Sequence, residues 1–255
     1  MTDLYERTRE SWEDIWEDAS VDVELEVMEQ DRTYETLGVY PNYLPKDGII
    51  LEAGCGLATV IMKLREMGYE NVIGLDYAER ALQVAYKYEP LLDLQTGDVH
   101  ALPYRSNSVH GYLSFGVLEH FEHGVGPALR EANRVLVPGG TLVLTIPYPN
   151  IVNRLVQLKR RLTGQSRLTD DDFYESTYTQ RQLITELKRA GFQPVLVRPT
   201  SHSFTLWGLG KPFRAPGYYQ TSRLAEWLGT VVRWLFPWTF NFTTLLIARK
   251  IRHIE

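Results

Sequence analysis

Ile49-Ile50-Leu51-Glu52-Ala53-Gly54-Cys55-Gly56 sets the architecture of the residues around it. Three apolar residues, an acid and then Gly-x-Gly read as a buried strand that ends in a tight turn. Leu57, Val60, Ile61 and Leu64 follow at helical spacing, and Gly68 after Met67 is a helix stop. The turn therefore joins a strand to a helix, and its glycines let the backbone approach a ligand where a Cβ would intrude. About 20 residues on, Val72-Ile73-Gly74-Leu75-Asp76 reads as a second strand ending in an acid. At that spacing a carboxylate accepts hydrogen bonds from the ribose hydroxyls of an adenine nucleoside. The alternative is a tight strand–helix turn with a solvated Asp76.

Two nucleoside classes fit this pattern. A nicotinamide or flavin dinucleotide normally sits over Gly-x-Gly-x-x-Gly, and here Thr59 holds the third position. Its hydroxyl can bond a phosphate, but the small residue that allows close helix packing is absent. The other class is S-adenosylmethionine, which has no phosphate and needs no phosphate-cradling helix terminus.

At 255 residues, 44% hydrophobic and 23% charged, the chain is expected to form one α/β domain with insertions and an ample core. A net charge of −5 argues against nucleic acid as the main partner. Cys55 is the single cysteine, so no internal disulfide is expected and a reducing, cytoplasmic compartment is. Within the glycine turn its expected role is a small side chain that fills space, with a catalytic thiol as the alternative. No secretion signal is expected from the acidic N-terminus, and no apolar run is long enough for a transmembrane helix.

Residues 1–47 read as an N-terminal helical cover. Trp12, Ile15 and Trp16 have helical spacing, and Tyr34, Leu37, Tyr40 and Tyr43 follow. This aromatic segment either closes over the ligand site or packs on the sheet edge. Residues 48–255 read as the α/β domain, with insertions at about 147–178 and 199–240. After Asp76 come a helix through Ala81, Leu82 and Ala85, a short strand over 91–95, and Gly97-Asp98-Val99. Asp98 can accept from an adenine amino group while the Val99 N–H bonds a ring nitrogen, or Asp98 caps its own turn. Val109–Phe115 is a fourth strand, and a helix through Ala128, Leu129, Ala132, Val135 and Leu136 follows. Pro138-Gly139-Gly140 is then a turn that re-enters a strand, Thr141–Ile146. Repeated strand–helix alternation predicts a mostly parallel sheet with helices on both faces and its ligand at the carboxyl ends of the strands. Thr179-x-x-Gln182 is a capping-box signal for a further helix, Phe192–Val197 a strand, and Phe242–Ala248 a last strand antiparallel to its predecessor.

Taken together, Leu51-Glu52-Ala53-Gly54-Cys55-Gly56, Gly74-Leu75-Asp76, Gly97-Asp98-Val99-His100-Ala101-Leu102-Pro103, Gly116-Val117-Leu118-Glu119-His120 and Leu136-Val137-Pro138-Gly139-Gly140 resemble the ordered motifs of the class I S-adenosylmethionine-dependent methyltransferases. The likeness is greatest to the small-molecule, quinone-biosynthesis-like branch (methyltransferase type 11) and covers roughly residues 45–198 and the final strand. It implies a Rossmann-like seven-stranded sheet with the last strand antiparallel. It also implies that Glu52, Ala53, Gly54 and Gly56 line the methionine portion of S-adenosyl-L-methionine, that Asp76 binds the ribose hydroxyls, and that Tyr77 lies against adenine or ribose. Asp98 and Val99 would recognise adenine, and Ser114 and Phe115 would border the sulfonium.

Methyl transfer from a sulfonium is an in-line displacement, so positioning supplies much of the catalysis, and a hydroxyl nucleophile gains from a nearby base. His120 and His123 stand at the expected mouth of the pocket. His120 is favoured as base, with ordering of the cofactor loop as its alternative role. Tyr148 and Tyr178 are candidate substrate contacts, with core or lid packing as the alternative. No catalytic metal is expected, because Ser114-Phe115-Gly116 offers no acid at the fourth strand end and Asp170-Asp171-Asp172 reads as a solvated run. From Ser222 to Phe236, Leu224, Trp227, Leu228, Val231 and Leu235 oppose Arg223, Glu226, Thr230 and Arg233 as an amphipathic helix. With Trp238 and Phe240 after it, residues 222–240 suit peripheral membrane contact, core packing or a homodimer face. The expected activity is methyl transfer to a small or lipid-linked acceptor, at oxygen. An NAD(P)-dependent oxidoreductase and a non-catalytic methyltransferase-like binding subunit are the rival readings.

Overall fold

The computed structural model describes residues 3–163, 175–216 and 219–252. The chain opens with three helices, α1 (Asp3–Ile15), α2 (Val21–Met28) and α3 (Asp31–Leu37). Strands and helices then alternate: β1 (Ile50–Ala53), α4 (Thr59–Glu66), β2 (Val72–Asp76), α5 (Glu79–Tyr88), β3 (Asp93–Thr96), β4 (Val109–Phe115), α6 (Gly126–Val135) and β5 (Leu136–Pro147). They are followed by α7 (Ile151–Thr163), α8 (Gln180–Arg189), β6 (Phe192–Thr200), α9 (His202–Trp207), α10 (Arg223–Leu235) and β7 (Thr243–Lys250). The seven strands form one sheet in the order β3-β2-β1-β4-β5-β7-β6. β1 to β5 pair in parallel, and β7 runs antiparallel to both β5 and β6. The first strand reversal in this order lies between β1 and β4, the usual place for a ligand crevice.

The alternation of side chains along each strand divides the core into two layers. Ile50, Leu113, Val143, Leu245 and Ile247 join Ile61 and Leu64 of α4, Ala81, Leu82 and Ala85 of α5, and the N-terminal residues Met28, Leu37 and Tyr40. Leu51, Leu142, Leu144, Leu246 and Ala248 join Ala128, Leu129 and Ala132 of α6 with Leu183 and Leu187 of α8. All four residues of β1 are buried, as expected of a parallel strand covered on both faces.

The helix punctuation follows the chain chemistry. Thr179 caps α8 through a complete capping box with Gln182, and Gly68 and Gly191 take positive φ just past α4 and α8. One boundary differs from the sequence expectation. Pro138-Gly139-Gly140 does not precede β5 but interrupts it: the register steps from Val109 opposite Leu136 to Gly111 opposite Thr141. The turn is thus a bulge within the strand, with Gly139 at φ +77.

Both insertions carry helices where described, α7 in the first and α9 and α10 in the second. α7 exposes Ile151, Leu155, Leu158 and Leu162; the side chains of Lys159, Arg160 and Arg161, and all of Arg167 and Asp170-Asp171-Asp172, lie outside the described residues. α10 forms as the sequence predicts, with Ser222 as its cap. Its buried residues are Ala225 and Gly229, whereas Leu224, Trp227, Trp234 and Leu235 are exposed. A Cβ on Gly229 would lie 2.7 Å from the Ser203 backbone nitrogen, so the small side of the helix turns inward because α9 approaches too closely for anything larger. Among the described residues, no helix is long and apolar enough to cross a membrane.

Candidate active site

β1 ends in the glycine turn, and Asp76 at the end of β2 holds that turn in place. Its Oδ2 accepts from the Gly56 N–H at 2.8 Å and its Oδ1 from the Ala78 N–H at 2.8 Å. The Leu75 carbonyl accepts from the Gly54 and Cys55 N–H groups at 2.7 and 3.1 Å. Gly54 has φ +80, and a Cβ there would come within 2.3 Å of Val117 Cγ2. Gly56 has φ +49, and its Cβ would meet Trp16 at 3.0 Å. Ala58, also left-handed at φ 59, places strain at the start of α4, where functional turns store it. Cys55 is buried and points toward Gly74, where an added Cβ would sit 2.8 Å from its Sγ. Burial raises its thiol pKa well above the usual value, so the cysteine fills space and is not a thiolate nucleophile.

A cavity of about 210 Å³ opens over this turn, lined by Glu52, Gly54, Gly56, Asp76, Tyr77, Phe115 and His120. These seven of the twelve expected cofactor and catalytic residues are brought together. Trp12 and Trp16 line it as well; they stack at 5.8 Å between ring centroids, and Trp12 meets His120 edge-on at 5.4 Å. α1 is anchored there by Glu13, whose carboxylate accepts from the Glu79 and Arg80 N–H groups at the start of α5 at 2.9 and 3.1 Å. The aromatic N-terminal segment therefore reaches the ligand site.

The remaining expected residues lie outside that lining. Ala53 is buried in the sheet, and Ser114 Oγ donates to its carbonyl at 2.9 Å. Val99 is buried in the core. Asp98 accepts from the His100 N–H at 2.8 Å and faces the His100 ring at 2.9 Å, which is the turn-capping arrangement. His123 is exposed beside Glu122. Tyr148 packs against the Trp238 ring at 5.6 Å, and Tyr178 accepts from the Val125 N–H through its hydroxyl at 3.3 Å.

A second cavity, about 760 Å³, is lined by residues that include Trp12, Asp14, Glu24, Gly116, Glu119, His120, Glu175, Phe204, Thr205, Trp207 and Tyr219. Trp12, Glu24, Gly116 and His120 also line the first cavity, so the two form one recess at the carboxyl ends of β1, β2 and β4. Sequence reasoning did not single out Glu24, Glu119 or Glu175. Glu119 was in plain view beside His120, and the Leu118–His120 turn that buries it is local. The others arrive from distant segments.

Two acids that line the recess keep a buried oxygen without a partner. Glu52 is 3% exposed and its Oε2 has no hydrogen-bond partner. Burial, and then the nearby Asp76, push its pKa well above the ordinary range. Glu119 is likewise buried with an unpartnered Oε2, and burial lifts its pKa to about 8. A buried polar atom without a partner calls for an explanation, and beside a cavity a ligand can supply it. The first cavity carries Glu24, Glu52 and Asp76 and, among the described residues, no Lys or Arg in its lining. A dinucleotide pyrophosphate would meet three carboxyl groups there. This acidic lining suits a cationic ligand without phosphate better than a pyrophosphate.

Residues 51–144 match a family model described as "Methyltransferase domain". The chain is 32% identical over 120 residues to EEF1A lysine methyltransferase 4 of Mus musculus, covering 40% of this chain and 47% of that protein. It is 27% identical over 180 residues to a demethylmenaquinone methyltransferase of Staphylococcus haemolyticus, covering 63% and 74%. It spans about half the length of the first curated relatives it matches. A solved SAM-dependent methyltransferase from Methanosarcina mazei superposes with a TM-score of 0.60 at 18% identity, over 84% of this chain and 97% of that one, a likeness of fold. Residues 51–144 thus match a methyltransferase domain model, and the seven-stranded sheet around them has the fold of solved SAM-dependent methyltransferases.

Proposed function

We propose that this chain transfers a methyl group from S-adenosyl-L-methionine to a small or lipid-linked acceptor held in the larger cavity. The observation that carries the reading is the pairing of Asp76 with the Gly56 N–H at 2.8 Å beside an unpartnered, buried Glu52. This polar frame suits a cationic nucleoside without phosphate. When bound, the cofactor supplies an electrophilic methyl group. The chain's own residues position it: Asp76 and Tyr77 at the nucleoside, Glu52 and the glycine turn at the amino-acid end, Phe115 in the first cavity and Gly116 where the two cavities meet. Trp12 and Trp16 cover the turn and keep water out, which strengthens the electrostatics of the recess. A hydroxyl acceptor is a second reading, favoured by His120, which lines both cavities and is placed to take a proton.

The lipid-linked part of the reading is supported by α10 and its flank, where Trp227 is 64% and Trp234 83% exposed beside Leu224, Leu235 and Phe236. Membrane contact through residues 222–240 would bring an apolar acceptor to the recess; a homodimer face is the other use of the same patch.

Calorimetric titration with S-adenosylhomocysteine, with NAD as control, tests the core of the proposal. Binding of the first alone supports it. Binding of NAD in its place would move the chain to the dinucleotide enzymes, and binding of neither would favour a non-catalytic scaffold.

A further inference from the structure

We propose that the acceptor is a cationic amine with an aromatic or apolar body, and that the Glu119 carboxylate receives the proton its nitrogen must lose. The inference rests on the methyltransferase reading and names the substrate class of the same site.

Four carboxyl groups, those of Asp14, Glu24, Glu119 and Glu175, line the larger cavity, and among its described lining residues there is no Lys or Arg. Acids alone would say little, because a solvated acidic cluster is ordinary. Two independent features point to a ligand here. Glu119 Oε2 is buried and has no partner, and Thr205 Oγ1, on another wall, is also buried and unpartnered. Two residues that line a cavity large enough for a small molecule thus each keep a buried oxygen that the fold leaves without a partner.

The lining also carries an aromatic cluster. Phe204 and Trp207 stack at 5.1 Å, and Tyr219 lies 5.4 Å from Trp207 and 5.9 Å from Phe204. Aromatic faces attract cations, and this cluster already holds one: the Arg214 guanidinium sits 3.9 Å over the Trp207 ring. An anionic acceptor would oppose all four acids. A neutral phenol would satisfy the rings but leave the buried Glu119 carboxyl without a charged partner, which is costly. An ammonium on an apolar body matches both.

Proton bookkeeping agrees. With its pKa lifted to about 8 by burial, Glu119 is mostly neutral at pH 7 in the free protein. An arriving ammonium favours the carboxylate, so binding expels the Glu119 proton to solvent. The carboxylate then takes one N–H proton of the ammonium; the electrons of that bond stay on nitrogen as the lone pair a nucleophile needs. Asp14, Glu24, Glu175, His120 and Tyr219 are the other titratable residues that line this space.

The test uses the full chain with phenethylamine and its neutral counterpart 2-phenylethanol as probes. Tryptophan fluorescence reports binding with and without S-adenosylhomocysteine, and calorimetry in two buffers of different ionisation enthalpy counts protons. The amine should bind at least tenfold more tightly than the alcohol and release protons at pH 7. Glu119→Gln should abolish most of that release and cut the amine preference about tenfold, as should Glu175→Gln for the preference alone. Equal binding of amine and alcohol, or unchanged proton release in Glu119→Gln, would overturn the inference. If S-adenosylhomocysteine binds and the amine preference is absent, the inference fails while the methyltransferase reading stands. If the preference is present and S-adenosylhomocysteine does not bind, the cation site stands and the methyl-transfer reading falls.

Discussion

Replacing Glu119 by Gln should make the free protein more stable, by an amount that grows with pH. The carboxyl group is 3% exposed with an unpartnered oxygen, and burial raises its pKa from 4.5 to about 8. The folded protein therefore holds this proton to a higher pH than the unfolded chain does. The contribution of Glu119 to stability is fully present below pH 4.5 and is lost as pH rises through about 8. At ~1.4 kcal/mol per unit, the loss across that window is on the order of 5 kcal/mol, about two-thirds of it by pH 7. Glutamine is isosteric and does not titrate. Its amide adds a fixed cost of about 1–3 kcal/mol if it too lacks partners, which offsets the difference curve without tilting it. Urea unfolding followed by tryptophan fluorescence, in both proteins from pH 5 to 9, isolates the term, because shifts at Glu52 and Glu175 are common to both. The variant-minus-parent stability should climb by several kcal/mol between pH 5 and 8 and then level off. Parallel curves would refute the reasoning, since they would mean that Glu119 titrates alike in the folded and unfolded chains.

Glu52→Gln should weaken S-adenosylhomocysteine binding about 10- to 100-fold, the loss of a charge-assisted hydrogen bond, while raising the melting temperature of the free protein; equal affinity in calorimetry would remove Glu52 from the ligand site. Gly54→Ala should be destabilised by about 1–3 kcal/mol and lose cofactor binding, because its Cβ would press on Val117 Cγ2 at 2.3 Å with φ at +80; a melting curve like the parent's would show that the turn can shift. The double change Trp227→Ser and Trp234→Ser, at exposed positions on α10, should leave stability within about 0.5 kcal/mol and abolish co-sedimentation with anionic vesicles. Failure of the parent protein to sediment at low salt would dispose of membrane contact there.

The parts of this fold legible in sequence are those fixed by neighbours in the chain. Gly54, Gly56 and Gly68 announce a strand–turn–helix because only a few backbone conformations connect those elements, and Thr179 with Gln182 announces α8 because a cap is a contact across three residues. Asp76 was readable for the same reason. Its spacing from the turn is set by one helix, and the hydrogen bond to Gly56 closes that loop. Asp98 shows the limit of such reasoning. A strand-end acid can face a ligand or its own turn, and the sequence His100 two residues on offers the nearer partner. The larger cavity was illegible because its walls come from α1, α2, the residues after β4, Glu175, α9 and Tyr219, and no local pattern links them. α10 was found by its amphipathic period, yet period does not say which face is buried. Here close approach to Ser203 selects Gly229 and leaves the large apolar residues outside.

The unsatisfied acids explain why the recess is both costly and selective. A free chain that buries Glu52 and Glu119 without partners gives up stability that an apolar or amide side chain would keep. That loss is recovered at each acid only by a ligand able to donate to it, so affinity and free-state stability are linked at the same atoms. The cofactor's ammonium can satisfy Glu52, and an acceptor ammonium can satisfy Glu119. A neutral competitor satisfies neither and leaves the desolvation cost in place, which is discrimination by an unpaired group as much as by a favourable contact. The same logic fixes the sign of every substitution at these two positions: neutralising either acid should stabilise the empty protein and weaken the filled one. A variant that gained on both counts would mean that the acid had found a partner within the fold, and that the recess owes its selectivity to shape and aromatic surface alone.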